Sequence, residues 1–171
     1  MNSIKWFKRK FNFDILQGTF PSILERLEGT PLRLSNKMVH IPSEKLEVQW
    51  NNSWSIKENI GHLIDLEPLW YGRVVDITEN KETLREADLE NKKTHDANHN
   101  TTRLPTLLNA FAQQRKQFVE LLKANRDHAE SLSALHPRIL QPMRIIDLAF
   151  FVAEHDDHHL ARITEIDENI V

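Results

Sequence analysis

The chain contains no cysteine. That excludes disulfides, thiolate metal sites and a cysteine nucleophile of its own, and leaves His, Asp and Glu as its metal-ligand inventory. Glycine is scarce, at four residues in 171, and no Asn-Gly or Asp-Gly pair occurs, so the strongest short-range hairpin signal is missing. Neither sign of charge dominates: 22 Lys+Arg stand against 25 Asp+Glu, a formal net charge of −3. Nucleic-acid binders usually carry a basic domain or stripe, so no nucleic-acid partner is expected. Long apolar runs are lacking too. The longest uncharged one, Leu148 to Ala153, falls far short of the ~20 residues a membrane helix needs, and no apolar stretch follows the basic opening to make a secretory signal. The expectation is a cytoplasmic protein with no membrane partner, its first residues a solvated lead-in.

What the chain does have is apolar residues at helical spacing, within a 40% hydrophobic composition. At this length one domain, residues 1–171, buries about 70% of its unfolded surface and needs no staples. The pattern predicts an all-α fold of four long helices with long crossovers, a four-helix bundle. The first opens after Gly18 with Thr19 as cap, carries Phe20, Ile23, Leu24 and Leu27, and is stopped or kinked at Gly29-Thr30-Pro31 before resuming through Leu32, Leu34 and Met38. The second opens at Ser55 and Glu58, a capping box, and runs to about Asn80 with a kink at Pro68. Residues 81–104 read as a long polar loop with one short turn of helix. The third helix covers about Pro105 to Ala124, a connection follows, and the fourth covers about Met143 to Asp167.

Chemistry concentrates in the fourth helix. His155 and His159 are four residues apart and so lie on one face, in the stripe Leu148, Val152, His155, His159, Ile163, Ile166. Two imidazoles in a core-facing stripe cost roughly 1–3 kcal/mol each if left without partners, and a divalent metal is an economical partner. Ordinary hydrogen bonds would also satisfy such a pair, so the spacing alone leaves both readings open. His158 forms a competing pair with His155 but points away from the stripe. His62, in the second helix, can face the fourth, and bundle sites are built from facing helices. Three imidazoles with positions left for water would make an open site, as catalytic metals have.

The run Trp54-Ser55-Ile56-Lys57-Glu58-Asn59-Ile60-Gly61-His62-Leu63-Ile64-Asp65, with Phe151-Val152-Ala153-Glu154-His155-Asp156-Asp157-His158-His159-Leu160-Ala161-Arg162-Ile163 later, resembles the DinB-like superfamily, including its YfiT-type members. The resemblance extends from the first helix through Ile166. It implies a four-helix bundle, commonly a homodimer, with a nickel or zinc ion on His62, His155 and His159. For activity it implies either an S-transferase using a low-molecular-weight thiol such as bacillithiol or a metal-dependent hydrolase, acting on a small molecule. Lacking cysteine, the chain would have to take any thiol from a cofactor.

No catalytic residue beyond the metal ligands is singled out. Arg73, eleven residues past His62 and three turns along the same face, is a candidate for an anionic substrate group or a partner of Glu67 or Asp76. Asn98, in the long loop, and His136 are further substrate-binding candidates, with a solvated or turn-stabilising role as the alternative; His95 and His99 fall under that alternative. Asp65 could orient an imidazole or sit in solvent, and Arg162 could pair with Glu165. Trp50, Trp54, Trp70 and Phe150 read as core. A non-catalytic metal- or ligand-binding bundle, or histidines hydrogen-bonded in a structural core, are the competing functions. Surplus apolar positions (Ile64, Leu66, Leu69, Tyr71 and Val75 in the second helix, Ile145, Ala149, Phe150 and Phe151 in the fourth) add an argument for a homodimer.

Overall fold

The computed structural model describes residues 4–170 and, of Gln17, the backbone alone. Four long helices form a bundle: α1 Phe20–Val39, α2 Ile56–Thr78, α4 Leu104–Ala124 and α5 Ile145–Asn169, with a five-residue α3, Lys92–Asp96, in the crossover. The capping box at Ser55 and Glu58 is present in full, Glu58 N–H reaching Ser55 Oγ at 3.1 Å and Ser55 N–H reaching the Glu58 carboxylate at 2.7 Å. Thr19 does not cap α1; its hydroxyl donates back to the Leu16 carbonyl.

The expected break at Gly29-Thr30-Pro31 is absent. Pro31 lies inside a continuous α1, and the reason is quantitative. Ending the helix there would return Leu34 and Met38, both buried, to water at about 1.5–3 kcal/mol each, which offsets the ~3 kcal/mol a mid-helix proline costs. The carbonyl that proline cannot serve, that of Leu27, instead receives Arg115 Nη1 at 3.4 Å. Pro68 likewise sits within an unbroken α2.

Each long helix crosses two apolar clusters, and the order fixes its direction. Phe20, Ile23 and Leu27 of α1 lie in one cluster and Leu34 and Met38 in the other; α5 runs the same way, from Leu148 and Val152 to Ile163 and Ile166. Helices α2 (Ile56, Ile60, Leu63, then Trp70, Val74, Ile77) and α4 (Leu107, Phe111, then Phe118, Leu122) run the opposite way. The principal helix contacts are α2 with α4, α2 with α5, α1 with α4 and α1 with α5. Because α2 and α4 are neighbours pointing the same way, the chain must return the length of the bundle between them. The long polar segment is that return.

Two short strands, β1 Ser133–Leu135 and β2 Pro142–Arg144, pair antiparallel in register Ala134 with Met143. The hairpin went unseen in the sequence because its turn uses no glycine: Leu140 takes a left-handed φ of 57°, and the His136 ring accepts the N–H groups of Arg138 and Ile139. Met143 thus belongs to a strand, not to the last helix.

Between the two clusters every long helix contributes polar residues at one level. Arg115 of α4 donates to Glu67 of α2, Nη2 to Oε1 at 2.6 Å, and to Asp156 of α5, Nη2 to Oδ1 at 2.9 Å, and Thr30 of α1 reaches Asp156 Oδ2 at 2.9 Å. The three histidines lie beside this layer in the chain, at positions 62, 155 and 159.

Candidate metal centre

The capping box sets the phase of α2, so that Asn59 and His62 face α5. His62 is 5% exposed, His155 3% and His159 5%, and one ring nitrogen from each lies within 4.8 Å of the others. Burial is the largest influence on all three: it pushes His62 down to about 4 and the other two well below the ordinary imidazole value. All three rings are therefore neutral near pH 7, the form that offers a lone pair to a metal.

Neighbours fix which nitrogen offers it. His62 Nδ1 is 3.1 Å from Thr94 Oγ1, and that hydroxyl donates its one proton to Asp65 Oδ2 at 3.0 Å. Thr94 can then only accept from His62, which puts the ring proton on Nδ1 and leaves Nε2 free. His159 Nδ1 is 2.8 Å from Asn59 Oδ1, while Asn59 Nδ2 donates to the Ser55 and Trp54 carbonyls at 2.8 and 3.3 Å. The amide oxygen is thereby turned to His159, whose Nδ1 donates and whose Nε2 carries the lone pair. His159 Nε2 faces His155 Nε2 at 3.2 Å. Two ring nitrogens at that separation share one proton or one cation. His155 Nδ1 is buried without a hydrogen-bond partner, and its ring meets Trp6 in a T-shaped contact with centroids 4.8 Å apart. The donor set fits a divalent ion.

The triad lies in the wall of a cavity of about 420 Å³. Its apolar walls include Trp6, Leu66, Leu69, Trp70 and Phe151, and Arg73, His136 and Arg138 also line it. Of the three substrate-binding candidates, Arg73 and His136 are brought together, 3.0 Å apart. Asn98 is placed elsewhere: exposed, with a left-handed φ of 48° and its carbonyl accepting from Thr101, it is a turn residue outside the cavity. His158 does reach the cavity wall, contrary to the reading that it points away, although it is not among the three converging ligand atoms. His99 is a buried anchor, 2.8 Å from Asp65, and His95 is exposed. Asp65 acts on His62 through Thr94. Arg162 pairs with Glu165 and also reaches Ser53 Oγ at 3.1 Å.

Sequence reasoning missed Thr94, Asn59, Arg138 and Trp6. From residue 4 on, the opening is packed in part: Trp6 lies against Phe11 and Phe151, and Arg9 pairs with Glu154 at 3.4 Å, while Ile4 and Phe7 stay exposed. Its signal was present in the aromatic residues Trp6, Phe11 and Phe13, which pack against the core and which a solvated lead-in does not need. Trp54 lines the cavity 4.6 Å from the His62 ring, while Trp70, 4% exposed, is core and wall together.

The family model of the DinB superfamily matches residues 19–163. Among solved structures, YfiT from Bacillus subtilis, described as a probable metal-dependent hydrolase with an unusual four-helix bundle topology, aligns with a TM-score of 0.78 at 19% identity, covering 94% of this chain and 92% of that one. No curated protein is significantly similar in sequence.

Proposed function

The chain belongs to the DinB superfamily, and from that membership we propose that it is a metal-dependent enzyme acting on a small molecule, with His62, His155 and His159 holding a divalent ion, nickel or zinc. The observation that carries the reading is the fixed tautomer of His62 and His159, each with its proton held on Nδ1 and its Nε2 lone pair directed to where the three imidazoles converge, at the wall of a cavity large enough for a small substrate.

A divalent ion bound there supplies Lewis acidity, making a nucleophile of water or a thiol at neutral pH. The protein's share is positional. Thr94 and Asp65 hold the His62 proton on Nδ1, and Asn59 holds that of His159, so neither ring can turn away. Trp6, Trp70 and Phe151 make the wall beside the imidazoles apolar. The description of YfiT supports hydrolysis; the absence of cysteine means that a thiol, if used, comes from a small molecule such as bacillithiol.

His62→Ala, His155→Ala and His159→Ala are each expected to abolish stoichiometric Ni²⁺ or Zn²⁺ binding, and His158→Ala to retain it, by calorimetric titration. Loss in His158→Ala with retention in His159→Ala would sink the assignment. Metal-dependent turnover without a thiol indicates a hydrolase and turnover requiring one an S-transferase; metal binding with neither leaves the non-catalytic reading.

A further inference from the structure

The cavity holds a second cluster in which hydrogen-bond donors outnumber acceptors. His136 Nδ1 accepts the backbone N–H groups of Arg138 and Ile139, each at 3.2 Å, so that nitrogen carries the lone pair. The one proton of the neutral ring then sits on Nε2. Yet Nε2 lies 3.0 Å from Arg73 Nη1, which is also a donor. Burial, reinforced by Arg73 and Arg138, holds His136 down to about 3, and protonating it would add a donor rather than remove one. Two donors face each other with no acceptor between them.

Charge is unbalanced as well. Arg73 is 1% exposed, and its Nε and Nη2 donate to the Arg85 carbonyl at 3.2 and 3.1 Å, a partner without negative charge. Asp76 is held instead by Arg85 and Lys81. Arg138, over the Phe7 ring at 5.2 Å, repels Arg73 rather than compensating it; burial first and Arg138 next push Arg73 down to about 10, against a smaller pull from Asp76 that Arg85 in turn opposes. Among the described residues neither guanidinium has an ion-pair partner, and the cavity-lining carboxylates Glu86 and Asp88 are exposed at its rim. A guanidinium this buried is strongly disfavoured without a counter-charge.

We propose that Arg73, Arg138 and the Nε2–H of His136 form an anion subsite that takes the carboxylate of a small apolar acid. A carboxylate supplies the missing acceptor and the missing charge together, and its two coplanar oxygens match the guanidinium fork. The rest of the molecule is specified by the wall: the Trp70 ring lies 5.5 Å from the Arg73 guanidinium carbon and 5.7 Å from the His155 ring, with Phe151 alongside. An acid with an apolar body, anchored at the arginines, thus places its other end at the imidazoles. The inference rests on the cavity being the substrate site, and not on the ion.

Benzoate is the probe, titrated by calorimetry into the purified protein before and after chelation and into His62→Ala. Saturable binding is expected in all three, weakened about tenfold or more in Arg73→Met and severalfold in Arg138→Met, with circular dichroism to check folding. Because Arg138 lies in the hairpin turn, its variant decides the matter if Arg73→Met fails to fold. No binding, or equal affinity in wild type and the folded variants, overturns the subsite. So does binding that disappears with chelation, since the ion would then hold the acid. Tighter binding of inorganic phosphate than of benzoate overturns the carboxylate assignment. If benzoate binds but Ni²⁺ and Zn²⁺ do not, the metal reading fails and the subsite stands.

Discussion

A histidine offers a metal whichever nitrogen its neighbours leave unprotonated, so His62 depends on a hydroxyl thirty-two residues away. Thr94→Val keeps the size of that side chain and removes its oxygen. The His62 proton then has no acceptor on Nδ1, and metal affinity is expected to fall about 10–100-fold with the fold intact, read by competition against a chelator of known affinity; unchanged affinity would show that the Thr94 relay orients nothing. The three histidines were legible in the sequence, because a four-residue step marks one helix face and the Trp54-to-His62 run carried the family resemblance. Thr94 and Asn59 were not. Each becomes a partner only through contacts between separate elements, and a threonine in a polar loop or an asparagine in a helix has no periodicity to betray it. His136 shows the same limit: it was read as a turn-stabilising ring or as a candidate for substrate, and the structure makes it a turn-stabilising ring that also lines the cavity.

Helix starts were readable where a local device makes them, as at Ser55 and Glu58. Continuations were not readable where the device comes from another element, as at Pro31, whose orphaned Leu27 carbonyl is served from α4. Two glycines make the same distinction testable. A Cβ at Gly29 in α1 meets nothing within 4 Å, whereas one at Gly61 in α2 would lie 2.1 Å from the His99 ring that anchors the crossover to Asp65. Gly29→Ala is expected to stabilise by roughly 0.5–1 kcal/mol, the helix-interior cost of glycine. Gly61→Ala is expected to destabilise and to loosen residues 92–101, seen as faster amide exchange there. Equal effects of the two substitutions would mean that the crossover is not seated on α2 through His99.

At the scale of the whole molecule, a polar layer divides two apolar clusters, and the N-terminal segment and hairpin cover what four helices alone would leave wet. Ile145, Ala149 and Phe151 are buried within the chain and Phe150 is half-buried, so the surplus apolar residues of α5 argue less for a second subunit than those of α2, where Ile64, Leu66, Leu69 and Val75 are half-buried and Tyr71 is exposed; these and the resemblance are what still support the proposed homodimer. The buried imidazoles give the fold a pH dependence whose sign can be worked out. His62, His155 and His159 titrate lower in the folded chain than the 6.5 of a free ring. Below that value the unfolded chain takes up protons that the folded chain refuses. The metal-free protein therefore keeps this stability above about pH 6.5 and loses it as pH falls toward about 4, by up to ~1.4 kcal/mol per pH unit for each histidine. Glu67, raised by burial beside Arg115, opposes this slope, but His136 and His158, held by burial at about 3 and about 4, add to it, so that it is one carboxylate against five rings. Metal should lift the whole curve, by about 2.7 kcal/mol at a hundredfold excess over Kd, and because the folded rings stay neutral down to about pH 4 the lift should hold between pH 7 and pH 5 and shrink only in stronger acid, where protons compete for the same nitrogens. Thermal melts of the chelated and metal-loaded protein between about pH 7 and pH 5 check both parts. A metal-free melting temperature that is flat across that range would mean that the buried rings are not held neutral, and a lift that shrinks between pH 7 and pH 5 would place the ion on ligands that titrate in that window, as these rings do not.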